Sequence, residues 1–224
     1  ISGGLRPGAP RGRGSDIMMK WIGAVMALLA LSACARGPDE SVLARNMGLP
    51  ADVRGLCGLD DVLGYELDRI GSGGACGIAE PVKVYAVGGV KLDSQPRINC
   101  RTATALHTWV TGPAQDAARE EGVLITDMHV VASYACRRRN NRPSGKLSEH
   151  AKGNAIDIAG ITLSDGSQPT VTRDWSGTKW SGLMQALHRE ACGPFGTVLG
   201  PKADRYHQNH FHFDVAEYRR PYCR

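Results

Sequence analysis

Two short segments of the chain concentrate the side chains that could carry chemistry. The first runs from Ser148 to Asp157 with the sequence SEHAKGNAID, and the second runs from His207 to Asp214 with the sequence HQNHFHFD. Imidazole nitrogens and carboxylate oxygens are ordinary protein ligands of zinc, and a catalytic zinc site has three such ligands and one open position. The two segments together therefore indicate a metal site of the catalytic type.

The second segment has the alternation of a β-strand. Successive side chains of a strand point to opposite faces, so the segment separates a polar face, His210, His212 and Asp214, from an apolar face, Phe211, Phe213 and Val215. A His-x-His pair is also found on solvated strand faces, and by itself it does not establish a metal site. Asp214 is placed to orient one of the imidazoles, as carboxylates behind metal ligands do.

The first segment strengthens the metal interpretation. Asp157 lies in the apolar stretch AIDIA, where a lone carboxylate is costly unless it is paired or metal-bound. Gly153 and its small neighbours allow the backbone to bend between His150 and Asp157. His150, Asp157 and one histidine of the second segment supply the three ligands that a catalytic zinc needs.

Hydrophobic periodicity predicts the elements that must position these residues. It indicates two helices, the first kinked at Gly112-Pro113, and several strands that include a hairpin around Gly88-Gly89. The fold class that follows is α+β, with helices packed on a small, largely antiparallel sheet and the zinc site on the sheet face. The predicted ranges are the strands 82–87, 90–93, 123–133, 153–158 and 210–215, and the helices 101–120 and 178–192.

Six of the seven cysteines lie in the part of the chain that should fold. An even number of cysteines indicates disulfides in an exported protein, and none of these six lies in a CxxC pair that would favour a cysteine zinc site. Cys100 opens the first helix and Cys136 follows the next strand, while Cys192 ends the second helix and Cys223 nearly ends the chain. The expected pairs are therefore Cys57–Cys76, Cys100–Cys136 and Cys192–Cys223.

The N-terminal part of the sequence indicates export. We expect residues 1–17 to be upstream or disordered sequence, and residues 18–33, with Lys20 before a short apolar run, to be a signal peptide. Cys34 follows Leu-Ser-Ala, which resembles the bacterial lipobox and implies a lipid on its thiol. Residues 34–50 would then be a tether, and residues 51–224 the domain. The residue after Cys34 is Ala35 and not the acidic residue that serves as the retention signal of lipoproteins in enteric bacteria. This favours a lipoprotein that is anchored in the outer membrane and faces the periplasm.

The pattern Ser148-x-His150-x-x-Gly153-x-Ala155-x-Asp157, followed by a His-x-His pair, resembles the zinc folds of lysostaphin, the D-Ala-D-Ala peptidases and hedgehog. Over roughly residues 57–223, the chain also resembles the bacterial extensin-like C-terminal domain family, which shares the stretch FGTVLGP before the histidines. The segment SYACR, which ends at Arg137, is similar to the Ser-Gly-Tyr-Arg stretch of the D-Ala-D-Ala peptidases, with additional residues.

The resemblance implies a set of roles. It implies Zn²⁺ bound by His150, Asp157 and His212, with His210 as the catalytic or supporting imidazole and Arg137 near the substrate carbonyl or carboxylate. D-Ala-D-Ala peptidases place a glutamate three residues before the last ligand, where this chain has an asparagine. The general base is therefore either His210 or His207.

Together with the ligand pattern, the resemblance implies a zinc peptidase that cleaves peptidoglycan peptides by zinc-activated water. Two other classes remain open, a metal-binding but non-catalytic wall-binding or scaffolding lipoprotein, and a lipoprotein without metal that is stabilised by its disulfides. Metal content and the digestion of purified sacculi would distinguish them. The net charge of +5 includes the arginine-rich first residues. No aromatic and basic pattern accompanies the charge, so nucleic acid is not an expected partner.

Overall fold

The computed structural model of the protein describes residues 1–4, 8, 40–72 and 74–224. The chain divides into two compact units, Ile1–Pro38 and Asp39–Arg224. The predicted signal peptide and Cys34 lie outside the described residues, as does most of the predicted upstream segment. None of the helices within the described ranges is long and apolar enough to cross a membrane.

The described residues of the second unit form ten strands. They are β1 (Arg54–Leu56), β2 (Leu59–Glu66), β3 (Pro81–Val87), β4 (Val90–Leu92), β5 (Arg97–Asn99), β6 (Ile125–Ala132), β7 (Ala155–Leu163), β8 (Thr197–Leu199), β9 (Phe211–Asp214) and β10 (Tyr222–Cys223).

The described residues of this unit also form five α-helices and three irregular helical segments. The α-helices are α1 (Glu40–Asn46), α2 (Cys100–Trp109), α3 (Gln115–Glu120), α4 (Val171–Asp174) and α5 (Ser181–Glu190). A π-helical segment, Val110–Ala114, joins α2 to α3, and 3-10 turns span Arg139–Asn141 and Glu149–Lys152.

All ten strands belong to one sheet. Its order is β1-β2-β3-β4-β6-β7-β9-β8-β10, and β5 also pairs with β3. Neighbouring strands are antiparallel except for the pairs β4–β6 and β8–β10, which are parallel. The predicted α+β class is confirmed, and the sheet is mixed and larger than the small one expected.

The main core lies between one face of this sheet and the helices α2 and α5. Ile156 on β7 and Phe213 on β9 are fully buried in it, and Trp109 of α2 makes an edge-on contact with Phe213 at 5.1 Å between ring centroids. Because side chains alternate along a strand, the residues next to Ile156 and Phe213 project from the opposite face of the sheet. The candidate ligands Asp157 and His212 are these neighbours.

The predicted kink in the first helix is confirmed. Gly112 has non-helical backbone angles, φ −114° and ψ −109°, and Pro113 follows it inside the π-helical segment. Proline has no amide hydrogen for the helical ladder and its ring clashes with the preceding turn. The long predicted helix is therefore divided into α2 and α3.

The prediction that residues 34–50 form a tether is wrong for the part from Glu40 onward. These residues form α1, whose Ala44 is fully buried in a second apolar cluster with Val53, Leu63 and Ala86. The carboxylate of Glu40 accepts a hydrogen bond from the amide of Gly55 at 2.7 Å. The folded domain therefore includes α1, which packs on the side of β2 opposite the main core.

One of the three predicted disulfides is confirmed and two are wrong. Cys192–Cys223 is present, with a Cα–Cα distance of 6.0 Å. The other two bridges join Cys57 to Cys100 and Cys76 to Cys136, instead of the expected Cys57–Cys76 and Cys100–Cys136.

The position of the turn Glu149–Lys152 explains the exchange of partners. The amide of Gly77 donates to the carbonyl of Ala151 at 2.8 Å, and the amide of Ala135 donates to the carbonyl of His150 at 3.3 Å. These two contacts bring the chain segments that carry Cys76 and Cys136 to the same turn. The expected Cys100–Cys136 pairing was based only on the helix and the strand that are adjacent in sequence. It did not take the contacts of this turn into account.

Candidate metal centre

Three side chains from separate elements meet on the sheet face opposite the main core. His150 comes from the turn Glu149–Lys152, Asp157 from β7 and His212 from β9. Asp157 and His212 are direct partners in the antiparallel register of β7 and β9. All three are buried, with 1%, 4% and 9% of their surfaces exposed. The structure brings together the three residues that the sequence predicted as ligands.

The possible ligand atoms converge on one point. Nδ1 of His212 lies 2.8 Å from Oδ1 of Asp157, and Nε2 of His150 lies 3.1 Å from each of these two atoms. A tetrahedral zinc with ligands at about 2.0–2.1 Å would hold neighbouring ligand atoms about 3.3 Å apart. The donor set and its spacing therefore fit a zinc ion with little rearrangement.

In both imidazoles, one ring nitrogen forms a hydrogen bond outside the cluster, and this bond orients the other nitrogen toward the common point. Nδ1 of His150 is 2.6 Å from the carbonyl oxygen of Ser133, to which it donates. Nε2 of His212 is 3.1 Å from Oδ2 of Asp214 and donates to it, so Asp214 lies where the strand pattern predicted. Such partners set the tautomer and the ring orientation of histidine ligands. The other nitrogen of each ring faces the common point and can bind a metal once it carries no proton.

The charge of the cluster favours a cation at the same point. Burial acts to raise the pKa of Asp157, but hydrogen bonds to His150 and His212 outweigh it and hold that pKa well below its usual range. Burial acts to lower the pKa of His212, but its hydrogen bonds to Asp157 and Asp214 raise it to about 9. At neutral pH the metal-free cluster therefore holds a proton between two carboxylates. A divalent cation can replace that proton.

A glycine allows the ligand-bearing turn to reach β7. Gly153 ends the turn in the left-handed region, with φ +68°, and a Cβ at this position would lie 2.4 Å from Cδ1 of Ile78. A side chain at position 153 is therefore disfavoured by the left-handed backbone conformation and would also collide with Ile78. The predicted bend between His150 and Asp157 is confirmed, and it requires glycine.

The two histidines that were candidates for the general base both lie beside the cluster. Nε2 of His210 is 3.6 Å from Oδ2 of Asp157, and burial lowers the pKa of His210. The ring of His207 lies 5.3 Å from that of His210 and 5.7 Å from that of His212, measured between centroids. The sequence alternatives His210 and His207 are therefore both retained.

Asp204 is a functional candidate that the sequence analysis missed. Its Oδ1 accepts a hydrogen bond from Nδ1 of His207 at 2.8 Å and another from the amide of Tyr206 at 2.7 Å. This contact leaves Nε2 of His207 free to exchange a proton. The spacing of Asp204 and His207, three residues apart, was a signal visible in the sequence.

The cluster opens into a cleft of about 1060 Å³. Arg137 is half-buried and lines this cleft, as the resemblance implied for a substrate-facing residue. Glu149 also lines it and is held by Nδ2 of Asn154, which donates to the Glu149 carboxylate at 2.7 Å. A molecule in the cleft would therefore meet the three candidate ligands, both histidines and Arg137 together.

Comparison with known protein families identifies the family of this chain. The family model described as extensin-like protein C-terminus matches residues 61–224, which include the whole candidate metal centre. No curated protein and no solved structure matches the chain. Since the family model covers more than half of the sequence, the chain is a member of the extensin-like protein C-terminus family.

Proposed function

We propose that this protein is a zinc-dependent amidase that cleaves peptide bonds of peptidoglycan. It would act either as an endopeptidase or as a carboxypeptidase. The observation that carries the proposal is the buried group His150, Asp157 and His212, whose three ligand atoms face one point at the base of a cleft. Three protein ligands with an accessible fourth position are typical of catalytic zinc sites, whereas structural zinc sites have four protein ligands.

Zinc bound at this position would lower the pKa of a bound water to about 7 and would polarise a substrate carbonyl. His210 is neutral at pH 7 because burial lowers its pKa, so it can accept a proton and later donate it to the leaving amine. His207 is the alternative, since Asp204 orients its ring and would stabilise it once protonated. Arg137 would bind the substrate carbonyl oxygen or carboxylate.

We also propose that the protein is exported and anchored to the outer membrane, on the periplasmic side, by a lipid on Cys34. The three disulfides support an oxidising compartment. The proposed relation to the lysostaphin, D-Ala-D-Ala peptidase and hedgehog fold depends on the ligand spacing from Ser148 to Asp157. Peptidoglycan peptides are the proposed substrates, and no nucleic acid partner is proposed.

A second candidate is a metal-binding, non-catalytic protein that binds or organises the cell wall. It is favoured by Asn209, which stands three residues before the ligand His212, where D-Ala-D-Ala peptidases have a catalytic glutamate. This candidate shares the metal centre with the peptidase but requires no proton acceptor.

Two measurements test the proposal. Metal analysis of the purified, disulfide-bonded protein should find about one zinc per chain, and a metal-free protein would contradict both candidates. The zinc-loaded protein should then release peptides with new amine termini from purified sacculi, and chelation should stop the release. Zinc binding together with sacculus binding but without new termini would support the second candidate instead.

A further inference from the structure

The C-terminal arm, defined as residues 216–221, forms one wall of the metal cleft. It follows β9 and is fixed at its far end by the bridge Cys192–Cys223 and by the amide of Tyr222, which donates to the carbonyl of Gly196 at 2.9 Å. Near its start, Glu217 pairs with Arg101 at 3.1 Å. These contacts hold Arg219 and Arg220 at the cleft, which both residues line.

The acidic groups that line the cleft are all engaged within the protein. Asp157 and Asp214 contact the ligand imidazoles, and Asp204 accepts from His207. Glu149 accepts from Asn154 and lies 3.7 Å from both Arg139 and Lys152. Within the described part of the chain, no lining carboxylate is therefore left to neutralise additional cations.

Four basic groups of the lining have no such partner. Among the described residues, no carboxylate lies within ion-pair distance of Arg137, Lys146, Arg219 or Arg220. Lys146 and both arm arginines are basic and solvent-exposed at the mouth of the cleft. The mouth is consequently positive in the free protein and would attract an anion.

Arg139 links the arm to the metal centre. Its guanidinium donates to the hydroxyl of Tyr218 at 3.1 Å and lies near Glu149, the residue that precedes the ligand His150. The arm is thereby connected, through Arg139, to the turn that supplies a ligand.

We propose that Arg219 and Arg220, together with Lys146, form a subsite for free carboxylates of the substrate, and that the enzyme selects acidic peptides. This inference deepens the proposed function and rests on it. Guanidinium groups match carboxylates through paired, charge-assisted hydrogen bonds. Peptidoglycan stem peptides carry free carboxylates on several residues, and amidation removes that charge without changing the backbone.

A binding experiment without turnover tests the subsite. The probes are the synthetic stem peptide L-Ala-γ-D-Glu-diaminopimelate-D-Ala and its counterpart with amidated carboxylates, each titrated calorimetrically into the zinc-free protein. The double variant Arg219→Gln/Arg220→Gln is compared with the charge-matched control Arg45→Gln/Lys91→Gln, which alters two exposed residues that do not line the cleft.

The arm variant should bind the acidic peptide about tenfold more weakly than the wild type. The control should bind it like the wild type, and the amidated peptide should bind weakly to all three proteins. Added salt should weaken acidic-peptide binding more in the wild type than in the arm variant. Equal losses in the arm variant and the control, or equal affinity of the wild type for both peptides, would overturn the proposal.

The same proteins separate this proposal from the proposed function. Selective binding of the acidic peptide by a protein that cuts no sacculi would contradict only the peptidase function. Cleavage of sacculi with unchanged Michaelis constants in the arm variant would contradict only the subsite. For an active enzyme, the arm variant should raise KM for acidic fragments and leave kcat and zinc content unchanged.

Discussion

Asp157 on β7 and His212 on β9 are direct cross-strand partners, with Nδ1 of His212 2.8 Å from Oδ1 of Asp157. The adjacent pair in the register, Ile156 and Phe213, is buried in the main core on the other face of the sheet. A shift by one residue would exchange the two faces of a strand. The apolar packing of Ile156 and Phe213 therefore also maintains the ligand pair.

The first prediction concerns the three ligands. Replacement of His150, Asp157 or His212 by alanine should abolish stoichiometric zinc binding, because two ligands alone cannot hold the ion tightly. Metal analysis after dialysis measures this loss, and circular dichroism with non-reducing peptide mapping should show an intact, disulfide-bonded fold. His107→Ala is the control, since His107 pairs with Asp61 away from the cluster. Wild-type zinc content in any of the three variants would exclude that residue as a ligand.

The second prediction concerns the carboxylate behind His212. Asp214→Asn should retain zinc but bind it about 10- to 100-fold more weakly, because the neutral amide supports the ligand imidazole less well. Competition with a chromogenic chelator measures the affinity. Asp116→Asn, which removes an exposed carboxylate paired with Arg119, should leave the affinity unchanged. An unchanged affinity in Asp214→Asn would show that the contact with His212 does not tune the metal.

The third prediction concerns pH. The pKa of His212 in the metal-free protein is raised to about 9, so His212 is protonated at pH 7 and zinc must displace that proton. The apparent affinity should therefore rise about tenfold per unit between about pH 7 and pH 8.5, and level off above pH 9. Chelator competition across this range tests the slope. An affinity independent of pH below pH 8.5 would be inconsistent with a protonated metal-free site.

The fourth prediction separates the two candidate bases. His210→Ala should keep zinc and lose about 10²- to 10⁴-fold in kcat if His210 transfers the proton. His207→Ala should then show a smaller loss, because its ring would only support that of His210. The reverse order of losses would assign the base to His207 and its partner Asp204. Loss of zinc from His210→Ala would instead exchange the roles of His210 and His212.

The fifth prediction concerns the glycine of the ligand turn. Gly153→Ala should destabilise the protein by about 1–3 kcal/mol, because it combines a left-handed backbone with a collision against Ile78. Gly166→Ala is the control, because Gly166 also has a left-handed backbone conformation, with φ +83°. A Cβ at Gly166 would have no atom within 4 Å. Denaturant unfolding of both variants should show the larger loss for Gly153→Ala. Equal losses would mean that Ile78 moves aside without cost.

The local features of this protein could be read from the sequence, because they depend on residues close together in the chain. The kink at Gly112-Pro113, the hairpin around Gly88-Gly89 and the alternation in β9 follow from backbone and side-chain periodicity. The ligand candidates were identifiable for the same reason, since a carboxylate in an apolar strand requires a partner. The α+β class followed from the pattern of helices and strands.

The weaker local signals were missed. Strand β1 has only three residues, and a tight turn at Cys57-Gly58, where both residues have positive φ, joins it to β2. Helix α1 has few apolar residues in only seven positions. Its stability depends on tertiary packing against β2, as is usual for short helices.

The contacts between residues distant in sequence were decided only by the tertiary structure. The bridges Cys57–Cys100 and Cys76–Cys136 span 43 and 60 residues, and periodicity contains no information about such partners. The same holds for the arm that carries Arg219 and Arg220 to the cleft, and for the register that sets Asp157 against His212. The sequence by itself determined which residues could bind a metal, and the burial of apolar surface on both sides of the sheet decided that they meet.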